Sequence, residues 1–187
     1  MAKIDSFRSF ITDGGVRPSQ FRVELAWPTG LANPNQGNST QAGIFLVNAT
    51  TLPASTIVPI EVPFRGRMAK VAGERQFANW NVTIINDGAF LIRGALERWS
   101  NLIIQHEATN GIIPPTAYTS EMAVTQLDRN DKVLRKYTMV NCWPSQISEI
   151  QLSFSNTNSI EEYQVEFSVD YWTADGLTPD ASATRPV

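Results

Sequence analysis

Glu162, Glu166 and Asp170 stand four residues apart in a run that alternates with large apolar side chains. Paired carboxylates can do acid–base chemistry only when they are close. On an extended strand, residues four apart lie roughly 13 Å from each other, whereas glycosidase pairs need roughly 5 to 9.5 Å. The same spacing argues against a metal site. Cys142 and His106 are the only cysteine and histidine. A Cys–His pair or a Ser–His–Asp triad would have to use that histidine. A Cys/His zinc site cannot be assembled from one copy, and an internal disulfide is impossible. His106, near the predicted end of a helix, reads as a structural contact that the helix dipole would favour when protonated. Arg65, Arg67, Lys70 and Arg75, interleaved with Phe64 and Phe77, could bind nucleic acid. Four charges in a folded chain are more ordinarily surface or a contact between subunits. GxGxxG, P-loop, HExxH, CxxC and GxSxG motifs are absent. No catalytic, metal or cofactor residue is therefore expected.

Charge is divided along the chain. Residues 137–184 contain no Lys or Arg but include Glu149, Glu161, Glu162, Glu166, Asp170, Asp175 and Asp180. An acidic surface of this kind keeps polyanions from adhering, or meets a basic patch on a neighbouring copy. With 187 residues, 42% hydrophobic and 18% charged, the chain has the means for one domain with a real core. No apolar run is long enough for a membrane span, and the start carries no secretory signal. Synthesis in a cytoplasm and no membrane anchor are expected.

These side chains must be positioned by elements that are mostly strands. Residues 1–20 read as an arm whose Phe7, Phe10 and Ile11 need a partner. Residues 21–27 alternate as a strand, and 28–43 read as a long Gly/Pro/Asn-rich loop. Residues 44–47 read as a strand and 48–53 as a turn. Residues 57–64 are extended, but Pro59 and Pro63 remove donors and exclude a central strand. A short strand over 67–71 is closed by Gly73, and 79–85 places Trp80, Val82 and Ile84 on one face. The one helical pattern follows the N-cap candidates Asn86 and Asp87. Leu91, Ala95, Trp99, Leu102 and His106 share a face, flanked by Ile92, Leu96 and Ile103, over four or five turns. A hairpin joins 117–127 to 132–140 through the turn 128–131. Cys142-Trp143-Pro144 reads as a strand break, and 147–154 as another alternating segment. The last strand, 160–172, turns Tyr163, Val165, Phe167, Val169 and Tyr171 inward and Glu162, Gln164, Glu166, Ser168 and Asp170 outward. Residues 173–187 read as a tail. The expectation is one mainly β, α+β domain over 1–187: an antiparallel sandwich or partly closed barrel with one flanking amphipathic helix.

Ile44, Phe45, Leu52, Ile57, Ile60 and Phe64 lie in a stretch too turn-rich to build its own core. Together with Arg65 and Arg67 they are expected to contact other subunits.

Five stretches in order resemble the tail tube proteins of contractile-tailed phages. They are Phe21–Leu25; Asn48–Ala54 with Ile60–Arg67; Val71–Asp87; Asn141–Pro144; and Glu166–Trp172. The resemblance spans about residues 17–172, though the loop 28–43 and the tail 173–187 exceed the family pattern. It implies hexameric rings whose inner sheets join into one barrel, stacked into a hollow tube inside a contractile sheath. It implies a virion location, a tape-measure protein in the bore, baseplate and tail-terminator partners, and transient DNA passage. Glu162, Gln164, Glu166 and Asp170 are then candidates for the lumen lining, because carboxylates repel passing phosphates. The alternatives are a tube protein of a type VI secretion or other contractile injection system, or a monomeric small-molecule-binding β-barrel. An enzyme is the weakest reading.

Overall fold

The computed structural model describes residues 15–31, 36–108 and 110–176, together with Ile4 and Phe7. In chain order the elements are β1 (Phe21–Glu24), α1 (Gln36–Leu46), β2 (Val47–Thr50), β3 (Ser55–Phe64), β4 (Arg67–Phe77), β5 (Trp80–Ile85), α2 (Leu91–Ile103), the single turn α3 (Pro115–Tyr118), β6 (Ser120–Leu127), β7 (Val133–Ile147), β8 (Glu162–Ser168) and β9 (Tyr171–Ala174). The expected mainly β architecture with antiparallel sheets is present. The main sheet runs β1-β6-β7-β8-β5-β2, with β9 also on β7, while β3 and β4 pair only with each other.

β7 organises the main sheet. Its first part pairs with β6 and β9, and its last part pairs with β8. Val140 opposes Tyr171 and Trp143 opposes Ser168 in one continuous register. β8 and β9 are thus one strand folded at Val169 and Asp170. At the fold, Asn141 has φ 56, its Nδ2 donates to Asp170 Oδ2 at 2.7 Å, and the Asp170 N–H donates to the Val140 carbonyl at 3.3 Å. This corner corrects two expectations. Tyr171 is 44% exposed instead of joining Tyr163, Val165, Phe167 and Val169 in the core. Residues 142–144 do not break β7, because Pro144 sits beside a register shift where a missing donor is tolerated.

The core lies between the sheet and α2. Ile92, Ala95, Leu96 and Trp99 are the buried face of that helix. Trp99 meets Trp27 edge-on at 5.8 Å and Phe167 at 6.2 Å, and Phe167 meets Trp80 at 5.4 Å. Trp99 Nε1 donates to the Tyr118 carbonyl at 2.6 Å. The space that a small-molecule barrel would leave open is filled here by four aromatic rings. The N-cap is Phe90, at φ 52, not Asn86 or Asp87, but Asp87 still accepts from the first turn, taking the Leu91 N–H at 3.0 Å and the Ala89 N–H at 3.2 Å. The helix is thirteen residues long, shorter than expected. His106 therefore lies beyond it in an exposed turn, where its N–H donates to Asn101 Oδ1 at 3.1 Å.

Other boundaries also differ. Residues 36–46 form α1, not a loop followed by a strand. Its inward positions Ser39, Ala42, Gly43 and Leu46 have helical spacing, but three of them are small, so no large apolar stripe marks them. β4 continues past Gly73 to Phe77. Residues 117–118 belong to α3, and beyond Ile147 the segment to 161 is irregular. Phe7 is exposed. Phe10, Ile11 and the tail from 177 lie outside the described residues. Replacing Trp99 with Ala should lower unfolding free energy by roughly 3 to 5 kcal/mol, since it empties a fully buried site. Chemical denaturation of the dissociated subunit measures this, and an unchanged midpoint would contradict the packing described.

Candidate functional site

The residues with catalytic potential are not arranged for catalysis. Cys142 is fully buried, while His106 faces solvent. Burial pushes the Cys142 thiol up to about 12, with Asp170 and Glu121 adding to the rise and a backbone hydrogen bond from Met122 opposing it. A thiol held protonated in the core is inert. Burial likewise raises the Tyr163 hydroxyl, opposed by Arg93, whose guanidinium lies 5.0 Å from the Tyr163 ring centre. Among the described residues there is no group of three or more His, Cys, Asp or Glu able to hold a metal.

Two surfaces stand out instead. The first is the arm β3–β4, every residue of β3 being exposed. At about 3.3 Å per residue its ten positions reach roughly 30 Å. Arg65 and Gly66, at φ 46 and 78, form the two-residue tip; positive φ at both positions is what a tightly twisted hairpin turn requires. Gly73 lies opposite the register shift between Ile57 and Pro59, where a Cβ would collide with the Val58 carbonyl oxygen. Cross-strand pairs place Ile60 with Val71, Val62 with Ala69 and Phe64 with Arg67 on one side. Pro59 with Ala72, Glu61 with Lys70 and Pro63 with Met68 occupy the other, the Lys70–Glu61 ion pair spanning 3.5 Å. Ile57, Ile60, Val62, Phe64, Met68 and Val71 are all about half exposed.

Among the described residues, only the root of the arm is fastened to the body. The Ala78 N–H donates to the Ala54 carbonyl at 3.1 Å. Phe77 packs edge-on against Trp172 at 6.2 Å. Trp80 Nε1 donates to Thr50 Oγ1 at 2.9 Å and to the Thr51 carbonyl at 3.0 Å. A two-stranded ribbon with apolar residues on both sides is marginal alone in water. Of the remaining expected contact residues, Ile44 and Phe45 project from the outer side of α1, Phe45 being 80% exposed, and Leu52 is exposed in the β2–β3 link.

The second surface is the outward side of β8. Tyr163, Val165 and Phe167 are buried, while Glu162 and Gln164 are exposed and Glu166 half-buried. On β5, Ile85, Thr83 and Asn81 oppose Glu162, Gln164 and Glu166, and on β7 Gln146 opposes Glu166. The acids here are held by amides. Asn48 Nδ2 donates to Glu162 Oε1 at 2.8 Å, Asn79 Nδ2 to Glu166 Oε1 at 2.6 Å, and Asn86 Nδ2 to Glu161 Oε2 at 2.9 Å. A neutral donor fixes a carboxylate without cancelling its charge, which a Lys or Arg would do. Glu162, Gln164 and Glu166 share this side, but Asp170 sits apart at the corner beside Asn141. The Asn partners went unnoticed in the sequence because they come from four separate segments.

Comparison with known proteins gives these surfaces a context. Residues 16–175 match the family described as phage tail tube protein. Tail tube protein gp19 of Enterobacteria phage T4 is 31% identical over 171 residues, covering 90% of this chain and 97% of that protein. The tail tube protein of Serratia phage KSP90 is 26% identical over 168 residues, covering 87% and 92%. In fold, this chain resembles one in the cryo-EM structure of the anti-feeding prophage baseplate, with TM-score 0.63, 10% identity and coverage of 86% and 95%. It also resembles one in the extended sheath–tube complex of an extracellular contractile injection system, with TM-score 0.57, 14% identity and coverage of 89% and 95%.

Cys142 should resist alkylation at pH 8 in the folded protein and react fully once unfolded, as mass spectrometry will show. Because its folded-state pKa is raised from 9.0 to about 12, its contribution to stability is intact below pH 9 and is lost as pH rises toward 12.

Proposed function

The chain belongs to the phage tail tube protein family, a structural and not an enzymatic class, and on that premise we propose that it is the repeating subunit of a virion's tail tube. In this reading hexameric rings stack into a hollow conduit that holds a tape-measure protein and then passes DNA. The sheath surrounds the tube, and baseplate and terminator proteins close its ends. The observation that carries the reading is the arm: a long, exposed, partly apolar ribbon that gains its burial from another copy. The identity with phage relatives favours a phage tube over the tube of another contractile injection system.

Ring closure has a natural route. The layer β2-β5-β8 with Trp143–Ile147 of β7 ends in two edges unpaired by any described strand: β2 and the last part of β7. Joining β2 of one copy to Trp143–Ile147 of the next removes both edges and closes a barrel. Its inner wall is then the side bearing Glu162, Gln164 and Glu166, with Asp170 at its corner. Amide-held carboxylates keep the lining negative, and repulsion acts within about 8 Å at physiological salt. Ile44, Phe45, Leu52, Ile57, Ile60, Phe64, Arg65 and Arg67 supply contacts between subunits or rings.

Excising Ile57–Arg75, and joining the facing residues Thr56 and Gln76 by an Asn-Gly turn, should leave a folded subunit that forms no tubes. The cut must spare Thr50 and Thr51, which hold the Trp80 indole. Normal tubes by electron microscopy would refute the arm's role. Gln164→Lys with Glu166→Lys should assemble yet deliver DNA more slowly, most of all at low salt. A tube structure with both side chains on the outer wall would overturn the lining.

A further inference from the structure

The arm's tip is an unusual ending for a hairpin. Arg65 occupies the first position of a turn that favours Gly, Asn or Asp, and it holds φ 46 there. A backbone cost accepted at an exposed tip points to a use for the side chain. Its guanidinium lies 5.3 Å from the centre of the Phe64 ring, which is 65% exposed. With Arg67, the tip presents an aromatic plate carrying two positive charges, and no acid lies between Val62 and Ala69.

A complementary surface lies elsewhere on the chain. Between β7 and β8 the backbone encloses a cleft of about 360 Å³. Glu149, Glu161 and Glu162 supply charge to a mostly polar lining, and Ile150, Leu152 and Ile160 are its apolar members. Leu152 and Ile160 are 79% and 73% exposed, so the described residues leave this lining unfilled. Segment 148–162 contains no Lys or Arg. The cleft is therefore mostly polar and anionic, with three apolar side chains among its lining, and wide enough for an aromatic side chain.

We propose that the Phe64–Arg65 tip of one copy docks in the 149–161 cleft of a second copy, with Arg65 and Arg67 meeting Glu149 and Glu161. This deepens the arm reading above, on which it rests, by naming the receptor. The contact joins two different surfaces, so it is heterologous and propagates from copy to copy, as an open stack requires. Charge complementarity sets the register, and burial of Phe64 with Leu152 and Ile160 supplies the apolar contact.

Reciprocal charge exchange tests it. Arg65→Glu with Arg67→Glu should reduce sedimentable tubes by about tenfold or more, because carboxylates then face carboxylates. Glu149→Arg with Glu161→Arg should do the same, and the four changes together should restore assembly. A Phe64→Cys, Leu152→Cys variant, with Cys142 sealed in the core, should give an oxidation ladder of cross-linked subunits. Wild-type tube yield from the cleft reversal, or no recovery in the fourfold variant and no ladder, would overturn the receptor. If arm excision abolished tubes in those same preparations, the arm reading would survive that failure. Tubes from the arm-excised protein would remove both.

Discussion

The architecture depends on one strand serving two layers. β7 is long enough to pair with β6 and β9 over its first part and with β8 over its last, and the turn between them is made at Asn141 and Asp170. A left-handed residue on one strand and a side-chain hydrogen bond to the other bend the pair without breaking its register. The bend sets where each side of β8 points. Tyr163, Val165 and Phe167 meet Trp80, Trp99 and Ile84 in the core, which leaves Glu162, Gln164 and Glu166 on the opposite side. A register slip of one residue would bury the carboxylates and expose Phe167, so apolar packing and acidic exposure are enforced together.

That coupling explains how a small domain keeps an acidic surface without cations to neutralise it. The energetic demand falls on the core side, where large rings fill the space between sheet and α2. The acidic side needs only orientation, and asparagines from β2, the β4–β5 link and the end of β5 provide it. The same division separates body from arm. The body buries its own apolar residues, whereas β3 and β4 bury almost none and are joined to it through Phe77, Trp172 and a few hydrogen bonds at the root. A body with its own core and an exposed arm are the two parts that the proposed subunit needs if it is made singly and assembled later.

What could be read in the sequence follows from how strongly each segment's pattern is tied to one environment. Strict alternation made β5 and β8 plain, and a wide apolar stripe did the same for α2. Pro59 and Pro63 excluded β3 from the centre of a sheet, leaving an edge strand or an arm, and it is a strand paired with β4 alone. The failures share a cause in side chains that do not advertise burial. α1 packs through Ser39, Ala42 and Gly43, whose small size allows close approach but leaves no periodic signal. Pro144 looked like a strand end, but a bulge absorbs it. Tyr171 follows the alternation of β8, yet the corner at Asp170 turns it outward. The acidic side was legible as a list of residues. Its amide partners were not, since they converge only when β2, β5 and β8 come together.

An exposed apolar ribbon is a hazard as well as a device, and the details of the arm bear on which of the two it becomes. Free strand edges recruit any other edge. Here two prolines remove donors from β3, a bulge at Gly73 twists β4, and the Glu61–Lys70 pair puts charge on one side. These features work against indiscriminate edge pairing while leaving Phe64 and Arg65 at the tip free. Recognition through the tip, as proposed, would be selective because it needs a hollow and negative charge in the same place. An arm tip that carries Arg65 and Arg67 and a segment 148–162 that carries acids and no Lys or Arg meet that requirement in copies of one chain, and like charge disfavours contact of tip with tip or cleft with cleft. On the proposed docking, the division of charge along the sequence would give assembly a direction, since a contact between two unlike surfaces repeats head to tail.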